Sequence, residues 1–315
     1  MQQHLYKIKS VMIGHAIGDA LGVPVEFCER EELDESPVTE MLGFGSYPVP
    51  AGAWSDDTSM TLATLDSLAS GKIEYDDIME NFVRWCSEDA YTPTGEMFDI
   101  GRTCLTAIRN YLATDGKPAL ECGLLDEHSN GNGSLMRIHP FVLYAYIKNM
   151  PLVEWIKLIK NGSAITHAHD RAEIGCLIYA FVLLHLLGDP NKDSIQLALK
   201  RAESNLVECS EFEYYHRIFQ SDFSSLEREE IKSSGYVVDT LEAAIWCLLT
   251  TNDYKSCVLK AVNLGGDTDT VAAVAGGLAG ALYGYDNIPS KWRRTLIKRD
   301  YIEELCKDAC ENWLK

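Results

Sequence analysis

Positive charge is scarce in this chain. Its 315 residues carry 28 lysines and arginines against 47 aspartates and glutamates, a formal net charge of −19. Nucleic acid and anionic membrane both call for clustered cations, so neither is expected as a partner. Cys-x-x-Cys pairs are missing as well: ten cysteines are scattered from Cys28 to Cys310. That pattern predicts reduced, mostly buried thiols in a cytoplasmic protein. No secretory leader is read, because the apolar stretch Val11–Ile17 is interrupted by His15 and stopped by Asp19. The most apolar segment, Ile174–Gly188 with His185 inside it, falls short of the about 20 residues that span a bilayer and reads as a core helix. Alternating β-branched runs are few; Tyr236-Val237-Val238 is too short to count as a strand. Low-complexity linkers, internal repeats and shifts of composition are absent, which predicts one domain over residues 1–315.

Helical periodicity is abundant. Leu241, Ala244, Ile245, Leu248 and Leu249 trace one stripe; Ile302, Leu305, Cys306, Ala309 and Trp313 trace another. Ile195, Leu199, Ala202 and Leu206 do the same, as do Leu105, Ile108 and Leu112. The expected fold is all-α, a compact domain of about a dozen helices. Gly162, Gly188 and Pro190 are read as turns, the acidic run Glu29–Glu35 as a solvated loop or helix start, and the polar segment Ser221–Ser234 as a mobile loop.

Two acidic motifs stand far apart in the chain: Ser55-Asp56-Asp57-Thr58 and Gly265-Gly266-Asp267-Thr268-Asp269-Thr270. Each precedes an apolar stretch that reads as a buried helix. Four carboxylates with neighbouring hydroxyls form an oxygen-only ligand set, which suits a hard cation such as Mg²⁺ or Mn²⁺. Taken alone, Ser55 with Asp56 and Asp57 could be no more than a helix cap. The second motif strengthens the metal reading, because Asp267 and Asp269 sit at the mouth of the apolar run Val271–Gly284 and need compensation there. Glycines at 14, 18 and 22 fall down one helix face that can pass close to a neighbour. Asp19, among apolar residues, calls for a specific partner, and Glu26, just after Pro24, can reach into a cleft. Asn130–Arg137 is a Gly/Asn turn whose N–H groups and Ser134 suit a phosphate, although a plain turn and cap explains it too. His167 and His169, without a third nitrogen ligand, read as polar contacts rather than a metal pair.

Together these stretches resemble the ADP-ribosylglycohydrolase family, in Gly18–Glu26, Trp54–Met60, Phe98–Gly101, Asn130–Pro140, Thr166–Asp170, Gly235–Trp246 and Gly265–Tyr283. The resemblance implies an all-α globule with two Mg²⁺ or Mn²⁺ ions in a cleft. It implies hydrolysis of a glycosidic bond to ADP-ribose on a modified protein, with ADP-ribose as product. By motif it implies metal ligands Ser55, Asp56, Asp57, Asp267, Asp269 and Thr270, with Ser55 standing where many relatives have threonine. Glu26 matches the catalytic or gating glutamate. Asn132, Gly133 and Ser134 would line the diphosphate with His167 near by, and Tyr236 would flank the adenine. Asp99 matches the acid that faces the guanidinium in arginine-specific relatives, which favours arginine as the leaving group; an N-cap for the following helix is its bland alternative. ADP-ribosylserine, O-acetyl-ADP-ribose, a modified nucleotide or base, and an inactive ADP-ribose-binding relative are the other readings of the same scaffold.

Overall fold

The structure, a computed structural model, describes residues 1–113 and 116–315. Fourteen α-helices run through them: α1 (Gln2–Gly22), α2 (Arg30–Glu35), α3 (Asp56–Ala69), α4 (Tyr75–Glu88), α5 (Arg102–Ala113), α6 (His139–Ile147), α7 (Leu152–Ala164), α8 (Asp170–Gly188), α9 (Lys192–Leu206), α10 (Val237–Thr250), α11 (Tyr254–Val262), α12 (Thr268–Tyr283), α13 (Ser290–Thr295) and α14 (Arg299–Trp313). Short 3₁₀ turns join them, and among the described residues there is no β-strand longer than an isolated bridge.

Helix α1 organises the rest. Its residues from Val11 to Gly22 are buried on every side. Its glycine face meets α12 backbone to backbone: a Cβ on Gly18 would lie 2.0 Å from the Ala272 carbonyl oxygen, and one on Gly22 2.3 Å from the Asp269 Cα. From the other side, a Cβ on Gly280 would lie 2.0 Å from the Ser10 carbonyl oxygen. The same helix fixes α3. Asp19 accepts from the Ser55 N–H (2.9 Å), the Thr58 N–H (3.0 Å) and the Thr58 hydroxyl (2.6 Å), so a carboxylate of α1 caps α3. One helix therefore holds the starts of both acidic helices.

The remaining core follows the periodicity in most places. The buried faces of α9, α10 and α14 contain the expected stripes, Leu249 excepted, which is half-buried. Helix α8, whose 18-residue window of mean hydropathy 1.5 is long and apolar enough to cross a membrane, has 83% of that window buried inside the protein. All ten cysteines are unpaired thiols.

Three expectations change. On α5 the buried face is Cys104, Ala107 and Ile108, and Leu112 is 62% exposed. Gly162 is no turn: it lies inside α7, where a Cβ would meet the Phe141 ring at 2.7 Å. Residues 221–234 form a pinned strap of two 3₁₀ turns with Phe223 and Ile231 buried. Arg30 of α2 donates to the carbonyls of Arg228 and Ile231, each at 2.7 Å. Most of the strap's polar side chains face solvent, while its backbone carbonyls serve its neighbours.

Candidate active site

The second motif reaches the cleft through a backbone clasp. Phe27 donates its N–H to the Gly266 carbonyl (2.8 Å), and Gly266 donates to the Cys28 carbonyl (2.9 Å). The Asp267 N–H goes to the Ser233 carbonyl of the strap (2.8 Å). Both glycines are needed here: Gly265 and Gly266 have φ of +77° and +71°, and a Cβ on Gly266 would sit 2.6 Å from the Ser233 oxygen. The clasp sets Glu26, which follows the short turn Val23–Val25 at the end of α1, directly beside the mouth of α12.

A cleft of about 350 Å³ opens at this point, lined by Glu26, Asp56, Asp57, Asp99, Asp267 and Thr270 on its acidic side. Asp269 completes a tight group: one carboxylate oxygen from each of Glu26, Asp267 and Asp269 lies within 4.8 Å of the others. Thr270 ties the two motifs together, its hydroxyl donating to Asp57 Oδ2 at 3.3 Å. Ser55 is the side-chain N-cap of α3, as expected; its hydroxyl also donates to Asp57 Oδ2 (3.2 Å) and does not line the cleft.

This cluster gathers acids without a paired countercharge among the described residues. Glu26 Oε2, Asp57 Oδ1 and Asp267 Oδ1 are buried with no hydrogen-bond partner. Burial first, and the charges of neighbouring acids next, drive the protonation equilibria of Asp56, Asp57 and Asp269 well above the usual carboxylate range. The same causes, burial and then Asp99 and Asp267, push Glu26 up to about 9. An all-oxygen group with orphaned carboxylate oxygens fits a hard cation, which would satisfy those atoms and reverse the shifts. Glu26 belongs to this cluster as closely as the motif aspartates do, which its place in the sequence outside both motifs did not show.

Asp99 also faces the cleft and is partly buried; burial pushes its carboxyl up. It does not cap α5. That helix begins at Arg102, so Gly101 holds the cap position, and the Gly101 N–H donates to Asp56 Oδ2 at 3.2 Å.

The opposite wall comes from the Asn130–Arg137 turn and Thr166–His167. Gly133 and His167 line the cleft. Asn132 lines it too, but its amide is committed, donating to Asp267 Oδ2 (2.8 Å) and to the Thr240 hydroxyl (2.9 Å). Ser134 is turned away: its hydroxyl is fully buried against the Ser163 hydroxyl (2.9 Å) and Cys176 Sγ (3.5 Å). Tyr236 stands next to Gly235 of the cleft rim, and its hydroxyl accepts from Arg171 (3.1 Å), whose guanidinium lies 3.5 Å from the Tyr214 ring centroid. His169 caps α8 by accepting from the Arg171 N–H at Nδ1 (3.2 Å), a polar contact of the kind its spacing predicts.

Sequence reasoning missed three neighbours of the site. The Tyr47 side chain stands beside Glu26 and Asp99 and moderates the rise of both carboxyls. Phe27, in left-handed conformation at φ +66° and 70% exposed, lines the cleft mouth. Arg102 is the one fixed cation among the described lining residues. Nothing in the spacing around Tyr47 marks it: the loop that follows holds Pro48, Pro50 and Gly52 and carries no periodic stripe.

Comparison with known proteins agrees with this geometry. A sequence model described as ADP-ribosylglycohydrolase matches residues 1–314. The chain is 32% identical over 307 residues, 97% of its length and 79% of the relative's, to ADP-ribosylarginine hydrolase Tri1 of Serratia proteamaculans. It is 34% identical to ADP-ribosyl-[dinitrogen reductase] glycohydrolase of Rhodospirillum rubrum, covering 89% of this chain and 86% of that one. A solved structure described as an ADP-ribosylglycohydrolase-related protein complex superimposes with a TM-score of 0.83 at 31% identity, over 100% of both chains. With a family model and a solved fold both matching along its length, the chain belongs to the ADP-ribosylglycohydrolase family.

Proposed function

We propose that the protein removes ADP-ribose from modified arginine side chains of a protein substrate, cleaving the N-glycosidic bond at C1″ and releasing ADP-ribose. One arrangement carries this reading: Asp99 and Glu26 face the same cleft as Asp56, Asp57 and Asp267. Relatives named as ADP-ribosylarginine hydrolases support the leaving group.

Asp56, Asp57, Asp267, Asp269 and Thr270, with Ser55 behind Asp57, would hold two hard divalent cations, Mg²⁺ or Mn²⁺. Bound there, such cations would supply charge that orients the ribose hydroxyls and acidifies the attacking water. Glu26 Oε2, buried and unpartnered, is placed to take a proton from that water. Positive charge builds on the ribose as the bond to the leaving group stretches, and the surrounding carboxylates favour that state. Asp99 pairs with the departing guanidinium through a charge-assisted, bidentate contact. Asn132 keeps Asp267 oriented. Gly133 and His167 face the diphosphate side, and Tyr236, held by Arg171, flanks the adenine. Ten unpaired thiols support a reducing, cytoplasmic setting; a melting temperature that falls by many degrees on adding reductant would overturn that setting.

A substrate panel tests the reading. Arginine-, serine- and cysteine-linked ADP-ribose, O-acetyl-ADP-ribose and ADP-ribosylated nucleic acid are each scored for free ADP-ribose with Mg²⁺ and with Mn²⁺. Fastest release from arginine, abolished by EDTA, is the expected outcome. Preference for serine or a nucleotide would overturn the leaving group, and a substantial rate in EDTA would overturn the cations.

A further inference from the structure

Arg137 is a buried cation that the chemistry above leaves unused. It is fully buried, and among the described residues no carboxylate pairs with it. An unpaired buried charge costs several kcal/mol, about the same as a broken buried ion pair, so a specific use is expected. Its partners are few. The guanidinium stands 5.1 Å from the Phe82 ring centroid, donates through Nη1 to the Gly162 carbonyl (3.0 Å), and through Nη2 to the Thr166 hydroxyl (2.7 Å). Thr166, also fully buried, lies 2.8 Å from His167 Nδ1.

The direction of this chain follows from donor arithmetic. A guanidinium has no acceptor and stays protonated, so Thr166 Oγ1 must accept from Arg137. Arg137 and His167 are the only hydrogen-bond partners of Thr166 Oγ1 among the described residues, so His167 Nδ1 is the one acceptor open to its hydroxyl proton. A neutral imidazole that accepts at Nδ1 carries its proton on Nε2. Burial, followed by the Arg137 charge, lowers His167 to about 3, so the ring is neutral across the working range. The backbone that carries the ring is fixed on both sides: Leu124 donates to the Thr166 carbonyl (3.0 Å), Ala168 donates to the Leu124 carbonyl (2.9 Å), and His167 donates to the Ser163 carbonyl (2.8 Å). The Nε2 edge lies on the glycine turn of the cleft wall. A Cβ on Gly133 would sit 2.9 Å from His167 Cε1 and 3.4 Å from Nε2; one on Gly131 would sit 3.7 Å from Nε2.

We infer that Arg137 is a positioning residue: acting through Thr166, it fixes His167 as an Nε2–H donor aimed into the cleft, where it meets the diphosphate of ADP-ribose. The diphosphate rests on the proposed function; the tautomer does not. A fixed neutral donor suits this wall, because the ring can hold an anionic group without placing a second full cation beside the metal ligands. A histidine free to choose its tautomer would present a lone pair to the anion part of the time.

Nitrogen-15 NMR of imidazole-labelled protein, without ligand, reads the tautomer directly. The wild-type protein is expected to show His167 with pyridine-type Nδ1 and pyrrole-type Nε2, unchanged between pH 6 and 8. Thr166→Val keeps the shape and removes the hydroxyl; it should release the tautomer and weaken ADP-ribose binding about ten- to hundredfold, the scale of a hydrogen bond to a charged group. Thr166→Ser should restore both. A wild-type ring protonated on Nδ1 overturns the inference without any variant, and so does Thr166→Val with the wild-type tautomer and affinity. A protein that shows the expected tautomer and ignores ADP-ribose would overturn the reading of the cleft while leaving the relay standing.

Discussion

At the scale of single residues, two carboxylates of the cleft have separable tasks. Asp99 lies two residues before the cap position of α5, so its charge is free of any capping duty. Asp99→Asn should leave the melting temperature unchanged while lowering kcat/KM on ADP-ribosylarginine by about 1.5–3 kcal/mol, the loss of a hydrogen bond to a charged group. Uncharged leaving groups should suffer less, and full activity on arginine would remove the reason for preferring it. In the proposed reaction Glu26 acts on the proton rather than on affinity. Glu26→Gln should slow turnover by roughly 10²–10⁴ and leave ADP-ribose binding nearly unchanged; collapse of binding with intact turnover would make it a binding residue instead. The motif aspartates were legible in the sequence because carboxylates at the mouth of apolar helices demand compensation; Glu26 was marked only by its place after Pro24 and by the family resemblance. The direction of a side chain was not legible. Ser134 sits in the turn that faces the cleft, yet its hydroxyl points into the core, and Tyr47 reaches the site from a loop with no pattern of its own.

At the scale of elements, the seam between α1 and α12 decides whether the two acidic motifs meet. Glycine every fourth residue along α1 announced a close approach, and the backbones do touch. Gly18→Ala places a Cβ 2.0 Å from the Ala272 oxygen, a backbone atom that cannot swing aside. The helices must separate, at a cost of about 1–3 kcal/mol or more for overpacking of this kind. Both the melting temperature and the cation affinity should fall, since α12 carries Asp269 and α1 leads into Glu26. Gly188→Ala, where a Cβ meets nothing within 4 Å, is the matched control and should change neither. Equal behaviour of the two variants in calorimetry would show that the seam can yield. Periodicity located the long helices but misjudged α5, because Leu105, Ile108 and Leu112 (i, i+3, i+7) fit a helical stripe as well as the face that is actually covered, Cys104, Ala107 and Ile108 (i, i+3, i+4). Spacing specifies that a stripe exists; the neighbouring elements choose which stripe. The strap at 221–234 misled for the reverse reason, since its carbonyls serve Arg30 and Asp267 and no periodic pattern records carbonyls.

At the scale of the whole molecule, stability and the cations are linked through the buried acids. Glu26 is raised from 4.5 to about 9, and Asp56, Asp57 and Asp269 are raised well above their usual value. A carboxyl that holds its proton more tightly when folded stabilises the fold fully below its unfolded value, and that contribution is lost as pH rises through the folded value. Buried histidines oppose this only in acid: His15 is lowered to about 4 and His167 to about 3, so their stabilisation is lost as pH falls below 6.5. The cation-free protein should therefore lose stability steadily from pH 6.5 to pH 9. The net charge of −19 adds repulsion in the same direction. In the proposed site divalent cations would bind the ionised cluster, so their stabilisation should grow over the same interval, by about 2.7 kcal/mol wherever the free cation exceeds its Kd a hundredfold. Melting curves at half-unit pH steps, in EDTA and in saturating Mg²⁺ or Mn²⁺, separate the two terms. The expected result is a pair of curves that lie close at pH 6.5 and diverge towards pH 9. Parallel curves would mean that the cations bind without displacing protons, and the buried carboxylates would then not be their ligands.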